Sequence, residues 1–568
     1  STAVYGSSGA SGVLLIETHT GKLGKVQFDY QYKNSMNFQP PAIPMLNGDE
    51  YIMLQQEEWH NAEGVFDLPP EIAYDRDYVD FYNYSANTDW LGAITQNSMT
   101  HDHYFKISGG GQKTRYFTSF SYVDEGGATI NTNSRRFSTR VNLDYYLSRK
   151  LLFTIQFNYT NSNREGNLEL NNEWGGRRNI RTMAYIKAPN MAIWEHDAEG
   201  NRTGEYFTPI NSYQGSGQYY YNPVAISHLG KDDNISNSLQ NTFRLRYSIN
   251  DWLTFRETIS IQYNGGKDRA YLPYNALGVD WLNWNVNKAD EGNSMSSSIR
   301  TETQMAFDSP FKNPDHVLTG AVTWITNQSQ YEWMNIQSNK TPSTDIQDPA
   351  IDAQINWIGT GSGETRELGA LANLNYKYGD RYMIQTIIRA DAHSSFGINN
   401  RWGLFKGIAA AWRFSSEPFM QKFQNLDDSK LKASWGVSGR QPSDSYARFA
   451  RYQTEGNYIE APAIVPTQVQ LNNLQWENMT SYDAGIELNL FNFRFFMEAN
   501  VYLKTTTNLL FQDYNIPTSS GYGKFLYLNG GELENKGWEL MLDGKIVQKN
   551  DFRWSLNFNI SQNINTFN

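Results

Sequence analysis

A chain of 568 residues with net charge −11 and no cysteine excludes disulfide and thiolate-metal frameworks and makes nucleic acid a poor partner. Its hydrophobic content is 39% and its mean hydropathy −0.62, and no stretch approaches the roughly 18 consecutive apolar residues of a membrane-spanning helix. A β-barrel stays open, because half of each barrel strand faces water, and 14% aromatic residues suit either interfacial girdles or a sugar-stacking soluble protein.

From the start, Ser1 to Thr18 reads as the interior of a domain rather than a leader, with glycines at turns and a short buried strand at Val13–Ile16. The chain is therefore expected to be a fragment of a longer protein. Lys25 to Lys33 alternates apolar and polar residues and is the first expected wall strand. Asn47-Gly48-Asp49-Glu50 caps an expected helix over Tyr51 to Trp59. Alternation returns at His103–Ser108, turns at Gly109-Gly110-Gly111, and continues through Arg115–Val123, Arg136–Leu147 and Leu151–Thr160. Residues one apart in a strand point to opposite faces, so Phe153, Ile155, Phe157 and Tyr159 make one greasy side. The same code recurs at Phe243 to Ile249, at Phe495 to Leu503, and at Trp554, Leu556, Phe558 and Ile560.

Strand pairs with short links are expected at 237–250 with 253–264, 298–309 with 315–329, 364–378 with 381–391, 480–490 with 494–504, and 535–547 with 551–562. Long interruptions rich in Asn, Gly, Ser, Tyr and Trp are expected at 161–236, 265–297, 330–363 and 439–478. Short turns on one rim and long loops on the other are the rhythm of an outer-membrane barrel. The expected fold is all-β, a large antiparallel transmembrane β-barrel with about 18 strands visible. The strand at 552–560 needs partners on both edges, so further strands are expected beyond Asn568.

Several local patterns invite chemistry. Ser108 to Thr114 approaches a phosphate loop, but Gln112 precedes Lys113 and no helix pattern follows, so a hairpin turn is expected. Asp391, His393 and Ser394 supply triad residue types but leave one strand too close together to converge. His101 and His103 could share a metal on one strand face, with no third ligand nearby. Asp197, Glu199, Asn201 and Glu205 do not match a calcium loop, and a solvated loop is the default. No catalytic residue, metal or cofactor is expected.

Aromatic residues in the long interruptions are the better candidates. Trp281 and Trp284 stand among Asn283, Asn285 and Asn287, Trp357 lies beside Asn356, and Tyr219, Tyr220 and Tyr221 precede Asn222. Flat rings bind the apolar faces of sugars while amides satisfy hydroxyls. Packing within the loops, or against a partner protein, is the other reading and the commoner one. Arg244, Arg246, Gln156 and Asn158 are expected to face the lumen, because lipid does not accept the arginines.

Ordered motifs over nearly the whole chain resemble the SusC/RagA type of TonB-dependent outer-membrane transporter found in Bacteroidetes. Ala3 to Ile16, carrying Tyr5, Gly6, Gly9 and Gly12 and closing at Thr20-Gly21-Lys22, is similar to the end of that family's plug domain. Asn87-Thr88-Asp89-Trp90, Ile107-Ser108-Gly109-Gly110 and Arg115-Tyr116-Phe117 resemble its early barrel. Arg389-Ala390-Asp391 through Ser395-Phe396-Gly397, Asn400 to Gly403, Trp412-Arg413 to Phe419, and Glu534 to Leu540 resemble later strands. The energy-coupling box and the terminal aromatic strand of the family are not in this sequence.

The resemblance implies roughly 22 strands in a complete barrel. Residues 1–22 would then end the plug and 23–568 form the barrel. It implies no enzyme activity but active import of an oligomeric nutrient across the bacterial outer membrane, a glycan before a peptide. The implied partners are a SusD-like surface lipoprotein as lid, the TonB–ExbB–ExbD energy complex and outer-membrane lipid, with a dimer of SusC–SusD pairs as an allowed assembly. An oligopeptide importer of the RagA type, a passive porin, and a structural or secretion-associated barrel are the alternatives.

Overall fold

The computed structural model describes residues 21–63, 67–171, 177–209, 221–278, 287–350, 354–420, 422–522, 524–549 and 551–568. Alternating sequence becomes one antiparallel sheet of 17 strands. In chain order they are β1 (Gly24–Asn37), β2 (Ser98–Gly110), β3 (Thr114–Gly126), β4 (Asn133–Tyr146), β5 (Leu151–Gly166) and β6 (Lys231–Ser248). β7 (Leu253–Leu272), β8 (Lys288–Phe307), β9 (His316–Asn339), β10 (Gln354–Tyr378), β11 (Tyr382–His393) and β12 (Trp402–Trp412) follow. β13 (Lys430–Arg440), β14 (Glu477–Leu490), β15 (Phe495–Asn515), β16 (Lys524–Gln548) and β17 (Arg553–Phe567) complete the sheet.

Each strand pairs with the next in sequence, so the sheet is an uninterrupted meander. Among the described residues β1 pairs only with β2 and β17 only with β16. The register carries one apolar face across the wall. Leu542 lies opposite Phe558 and Met497, and Met497 opposite Leu488. The other face is polar, with Asp543 opposite Asn557 and Arg244 opposite Thr154 and Thr258. A single-residue slip in any ladder would move charged side chains onto the apolar face, so this patterning specifies the register.

Two expectations about strand limits are corrected. The stretches 265–297 and 330–363 are not loops throughout: β7 runs to Leu272, β8 starts at Lys288, β9 runs to Asn339 and β10 starts at Gln354. A strand needs only about 9–11 residues to cross the bilayer, and β10 has 25. The β9–β10 ladder continues past the stretch of apolar alternation, because backbone pairing does not need apolar side chains. The sheet holds 17 strands among the described residues, in keeping with the expected count of about 18.

The rims differ as expected. Residues 111–113, 147–150, 249–252, 379–381 and 491–494 join strands at the short-turn rim, as does the link from β16 to β17, and the three largest insertions, between β1 and β2, β5 and β6, and β13 and β14, leave and re-enter the sheet at the opposite rim. One short-rim link, from β12 to β13, is longer: in it Leu426 bridges Leu490 at the end of β14, and the Asn425 carbonyl accepts from the Phe491 amide at 2.9 Å. The expected helix is α1 (Gly48–Glu63), and its start is a reciprocal cap. Asn47 Oδ1 accepts from the Glu50 amide at 2.9 Å while Glu50 accepts from the Asn47 amide at 3.0 Å. Above the wall, Trp90, Ile94, Met183, Met191 and Ile226 from two insertions form a separate apolar core.

Candidate functional site

The inner face at the long-loop rim gathers the groups most able to hold a ligand. Tyr331 and Trp333 of β9 lie opposite Gly363 and Gly361 of β10. Trp357, two residues before Gly359, continues the row on β10. A Cβ on Gly361 would stand 2.3 Å from Trp333, one on Gly359 2.3 Å from Trp357, and one on Gly363 2.3 Å from Tyr331. The three glycines thus let three rings lie flat along one strand. Trp333 and Trp357 are nearly parallel, 14° apart with centroids separated by 6.3 Å. All three rings are substantially exposed.

Below this row the inner wall turns polar and densely bonded. Arg389 Nε donates to both oxygens of Asp391 at 2.8 and 2.7 Å, and both residues are buried. A Cβ on Gly369 would press on the Asp391 carboxylate at 2.8 Å, so glycine leaves that space to the carboxylate. The Ser395 amide donates to His393 Nδ1 at 3.2 Å, which leaves Nε2 to carry the proton toward Glu367 at 3.3 Å. Gln441 and Asn327 also donate to Glu367. Ser394 Oγ accepts from the Arg366 amide instead. Asp391, His393 and Ser394 therefore serve three different partners and form no triad.

Toward the short-turn rim the inner face lines a cavity of about 770 Å³ bordered by Lys432, Lys504, Asp483, Glu539, Gln385 and Asn375. Lys432 bridges Glu487 at 3.0 Å and Glu498 at 2.5 Å, and Lys430 meets Glu487 at 2.7 Å. Arg244, Arg246, Gln156 and Asn158 share this inner face, as the sequence suggested.

A family model described as "TonB dependent receptor-like, beta-barrel" matches residues 189–567. The chain belongs to the TonB-dependent receptor barrel family. TonB-dependent receptor P39 of Formosa agariphila is 26% identical over 570 residues, covering 100% of this chain and 51% of the relative. TonB-dependent receptor SusC of Bacteroides thetaiotaomicron is 25% identical, covering 99% of this chain and 55% of the relative. The chain thus spans about half the length of the curated relatives it matches. The RagAB peptide importer in its open-open state superposes with a TM-score of 0.80 at 21% identity, over 100% of this chain and 63% of that one, and supports the fold. No helix among the described residues is long and apolar enough to cross a membrane.

Within this TonB-dependent receptor barrel, the sequence-derived sites fall as follows. Trp357 lies on strand β10, opposite Gln337, rather than in a loop. Tyr221 packs against the apolar core of the insertions. Trp281, Trp284, Tyr219, Tyr220, Tyr5, Gly6, Gly9 and Gly12 lie outside the described residues. His101 and His103 each take a tyrosine hydroxyl on Nδ1, from Tyr32 at 2.8 Å and Tyr30 at 2.9 Å, and no metal cluster occurs among the described residues. Ser108 to Thr114 covers the end of β2, the turn at 111–113 and the first residue of β3. Asp197 accepts from the Asn201 amide at 2.8 Å and its side chain at 3.1 Å, and these bonds hold its carboxyl below the usual carboxylate range.

Trp333 and Tyr331 were not singled out from the sequence. The signal was present as two aromatics at spacing two, facing a Gly-x-Gly-x-Gly run at 359–363. It becomes readable only with the β9–β10 register.

Proposed function

We propose that the full protein imports an oligomeric nutrient, a glycan, across the bacterial outer membrane by TonB-dependent transport. In this reading residues 1–22 end a plug and residues 23–568 form the transmembrane wall. A SusD-like lipoprotein closes over the long loops, and the TonB–ExbB–ExbD complex pulls on the plug to release captured substrate. The wall residues perform no covalent chemistry: they bind, orient and then let go.

The observation that carries the glycan reading is the exposed row of Tyr331, Trp333 and Trp357 on the inner face. Flat apolar rings beside polar wall groups suit sugars, which combine apolar ring faces with hydroxyl edges. The test is uptake of a labelled oligosaccharide by cells carrying the full-length protein, with and without TonB. Uptake should require both TonB and the two tryptophans. Undiminished uptake without TonB would overturn the proposal.

A further inference from the structure

The chain turns from β14 to β15 in a conformation that two of its residues resist. Phe491, Asn492 and Phe493 have φ of 59°, 58° and 57°, three successive left-handed residues. Asparagine tolerates that region, whereas the Cβ of a phenylalanine there crowds the following carbonyl. The turn is held from several sides. The Arg494 amide donates to the Leu490 carbonyl at 3.1 Å, the Phe491 amide to the Asn425 carbonyl at 2.9 Å, and the Phe493 amide to Asp427 Oδ2 at 2.9 Å. Lys545 Nζ donates to the Phe493 carbonyl at 3.2 Å. Strain persists only where surroundings over-determine it, and it tends to mark a functional position. Here it presents two phenyl rings, and both residues remain more than half exposed.

The link from β12 to β13 adds two more rings, and its course is fixed near both ends. Near its start Glu417 accepts from Tyr382 Oη at 2.6 Å and from Trp412 Nε1 at 3.0 Å. Tyr382 and Trp412 are cross-strand partners, and their row runs on through Leu431 to Ile486, two residues from Leu488 on the apolar face. The link therefore leaves the wall on its apolar side. Near its end the Asp427 amide donates to the Asn489 carbonyl at 2.9 Å, and Asn489 Nδ2 donates to the Asp428 carbonyl at 2.8 Å. Phe419 and Phe423 lie between these fixings. Phe419, Phe423, Phe491 and Phe493 are 57%, 60%, 51% and 56% exposed. The apolar face reaches the same foot of the wall, because Leu490 and Phe495 form the last pair of the β14–β15 ladder.

We propose that the β12–β13 link and the 491–494 turn form a membrane anchor, whose four phenyl rings enter the phospholipid leaflet at the short-turn rim. The inference rests on the transmembrane wall of the import reading and adds how the foot of that wall is held in the bilayer. Phenyl rings have no polar group to keep in water, and the surface that bears them continues the apolar wall, so acyl chains are the matching cover. Lys422, exposed beside Phe423, reaches from the same segment toward lipid phosphates. The left-handed turn aims its rings at the leaflet, which a relaxed turn of the same length would not do.

The experiment is site-directed spin labelling of the full-length protein, freed of any other cysteine and reconstituted in vesicles of phosphatidylethanolamine and phosphatidylglycerol. These 568 residues contain no cysteine, so Phe419→Cys, Phe423→Cys, Phe491→Cys and Phe493→Cys each place one nitroxide. Electron paramagnetic resonance compares relaxation by oxygen, which concentrates in lipid, with relaxation by a water-soluble nickel chelate. The oxygen-to-chelate ratio at the four sites should be several-fold above that of Glu199→Cys, exposed in an insertion of the opposite rim, and close to that of Leu488→Cys on the wall. Resistance to unfolding in cold detergent, as in wild type, shows that each labelled barrel is folded, and four separate sites keep the test readable where one variant fails. Ratios at the four sites equal to that of Glu199→Cys, with Leu488→Cys still lipid-like, overturn the anchor and are the result expected of rings that meet a protein partner instead. A water-like ratio at Leu488→Cys as well overturns the transmembrane wall and the anchor with it. The measurement needs neither TonB nor substrate, so it and the import test fail independently.

Discussion

Trp333 of β9 lies across Gly361 of β10, its cross-strand partner, so closely that a Cβ there would stand 2.3 Å from the indole nitrogen. Ring position in the aromatic row is thus set by the absence of a side chain opposite. Gly361→Val should tip the indole off the sheet and leave the ladder bonds in place. Oligosaccharide affinity should fall several-fold, about 1 kcal/mol, with a shifted tryptophan emission. Trp357→Ala should weaken binding by a similar amount. Titration with both variants checks this, and unchanged affinity in both would remove the row from the binding surface.

The face assignment has a direct consequence. Val501, six residues above the start of β15, belongs to the apolar face, opposite Ala484 and Trp538. Asn500 belongs to the lumen face and donates to Glu498 at 3.1 Å. Val501→Arg should destabilise the barrel by about 2–4 kcal/mol, whereas Asn500→Arg should cost little. Denaturant unfolding of the full-length barrel in lipid vesicles measures both. Equal penalties would reverse the reading of the faces.

Phe405 is fully buried on the inner side where β12 and β13 separate. Those strands pair only from Gly407 opposite Gly436 to Trp412 opposite Leu431. Above that point Phe405 and Trp476 fill the space, their rings 5.4 Å apart at 78°. A Cβ on Gly439 would sit 2.3 Å from Phe405. Gly439→Val should therefore overpack the seam at a cost of about 1–3 kcal/mol, and Phe405→Ala should cost about 3–5 kcal/mol. Faster proteolysis within the 441–476 insertion, compared with wild type, is the expected readout.

Asp391 neutralises Arg389 in a buried setting, and the two must be changed together to avoid stranding a charge. Asp391→Ala should destabilise by about 3–5 kcal/mol, because Arg389 is left buried without its carboxylate. Combining Arg389→Met with Asp391→Ala removes both charges and should recover much of that loss. Denaturation midpoints of the single and double variants decide it.

Lys187 is only 4% exposed in the core of the insertions, with its ammonium 5.8 Å from the Trp90 ring centre. Burial lowers its pKa from 10.5 to about 7. Between those values the unfolded chain holds a proton that the folded chain does not, so stability of the insertions rises with pH across that window. Below about pH 7 both states are protonated and the penalty is constant. Lys187→Met should remove the slope and stabilise the insertions at neutral pH. Hydrogen exchange of residues 180–186 from pH 7 to 10 measures it, where the rate must be corrected for base catalysis by comparison with the variant.

How far these features can be read in advance depends on where each residue sits. Leu556, Phe558 and Ile560 declare a strand with one apolar and one wet side, since alternation at period two follows from unlike surroundings on the two faces. Asn47 and Glu50 likewise declare the start of α1, because a cap is a local bond. Trp357 could be noticed as an aromatic but not placed, because β10 keeps its hydrogen bonds beyond the lipid where its pattern fades.

By itself, the sequence determined the barrel class, the two faces of the wall and the asymmetry of its rims. Those follow from contrasts between neighbours a few residues apart, imposed by the solvent on each side. Only the tertiary structure decided that Trp333 rests on Gly361 and that His393 turns to Glu367. Each of these depends on register or loop packing between distant segments, which no local alternation encodes.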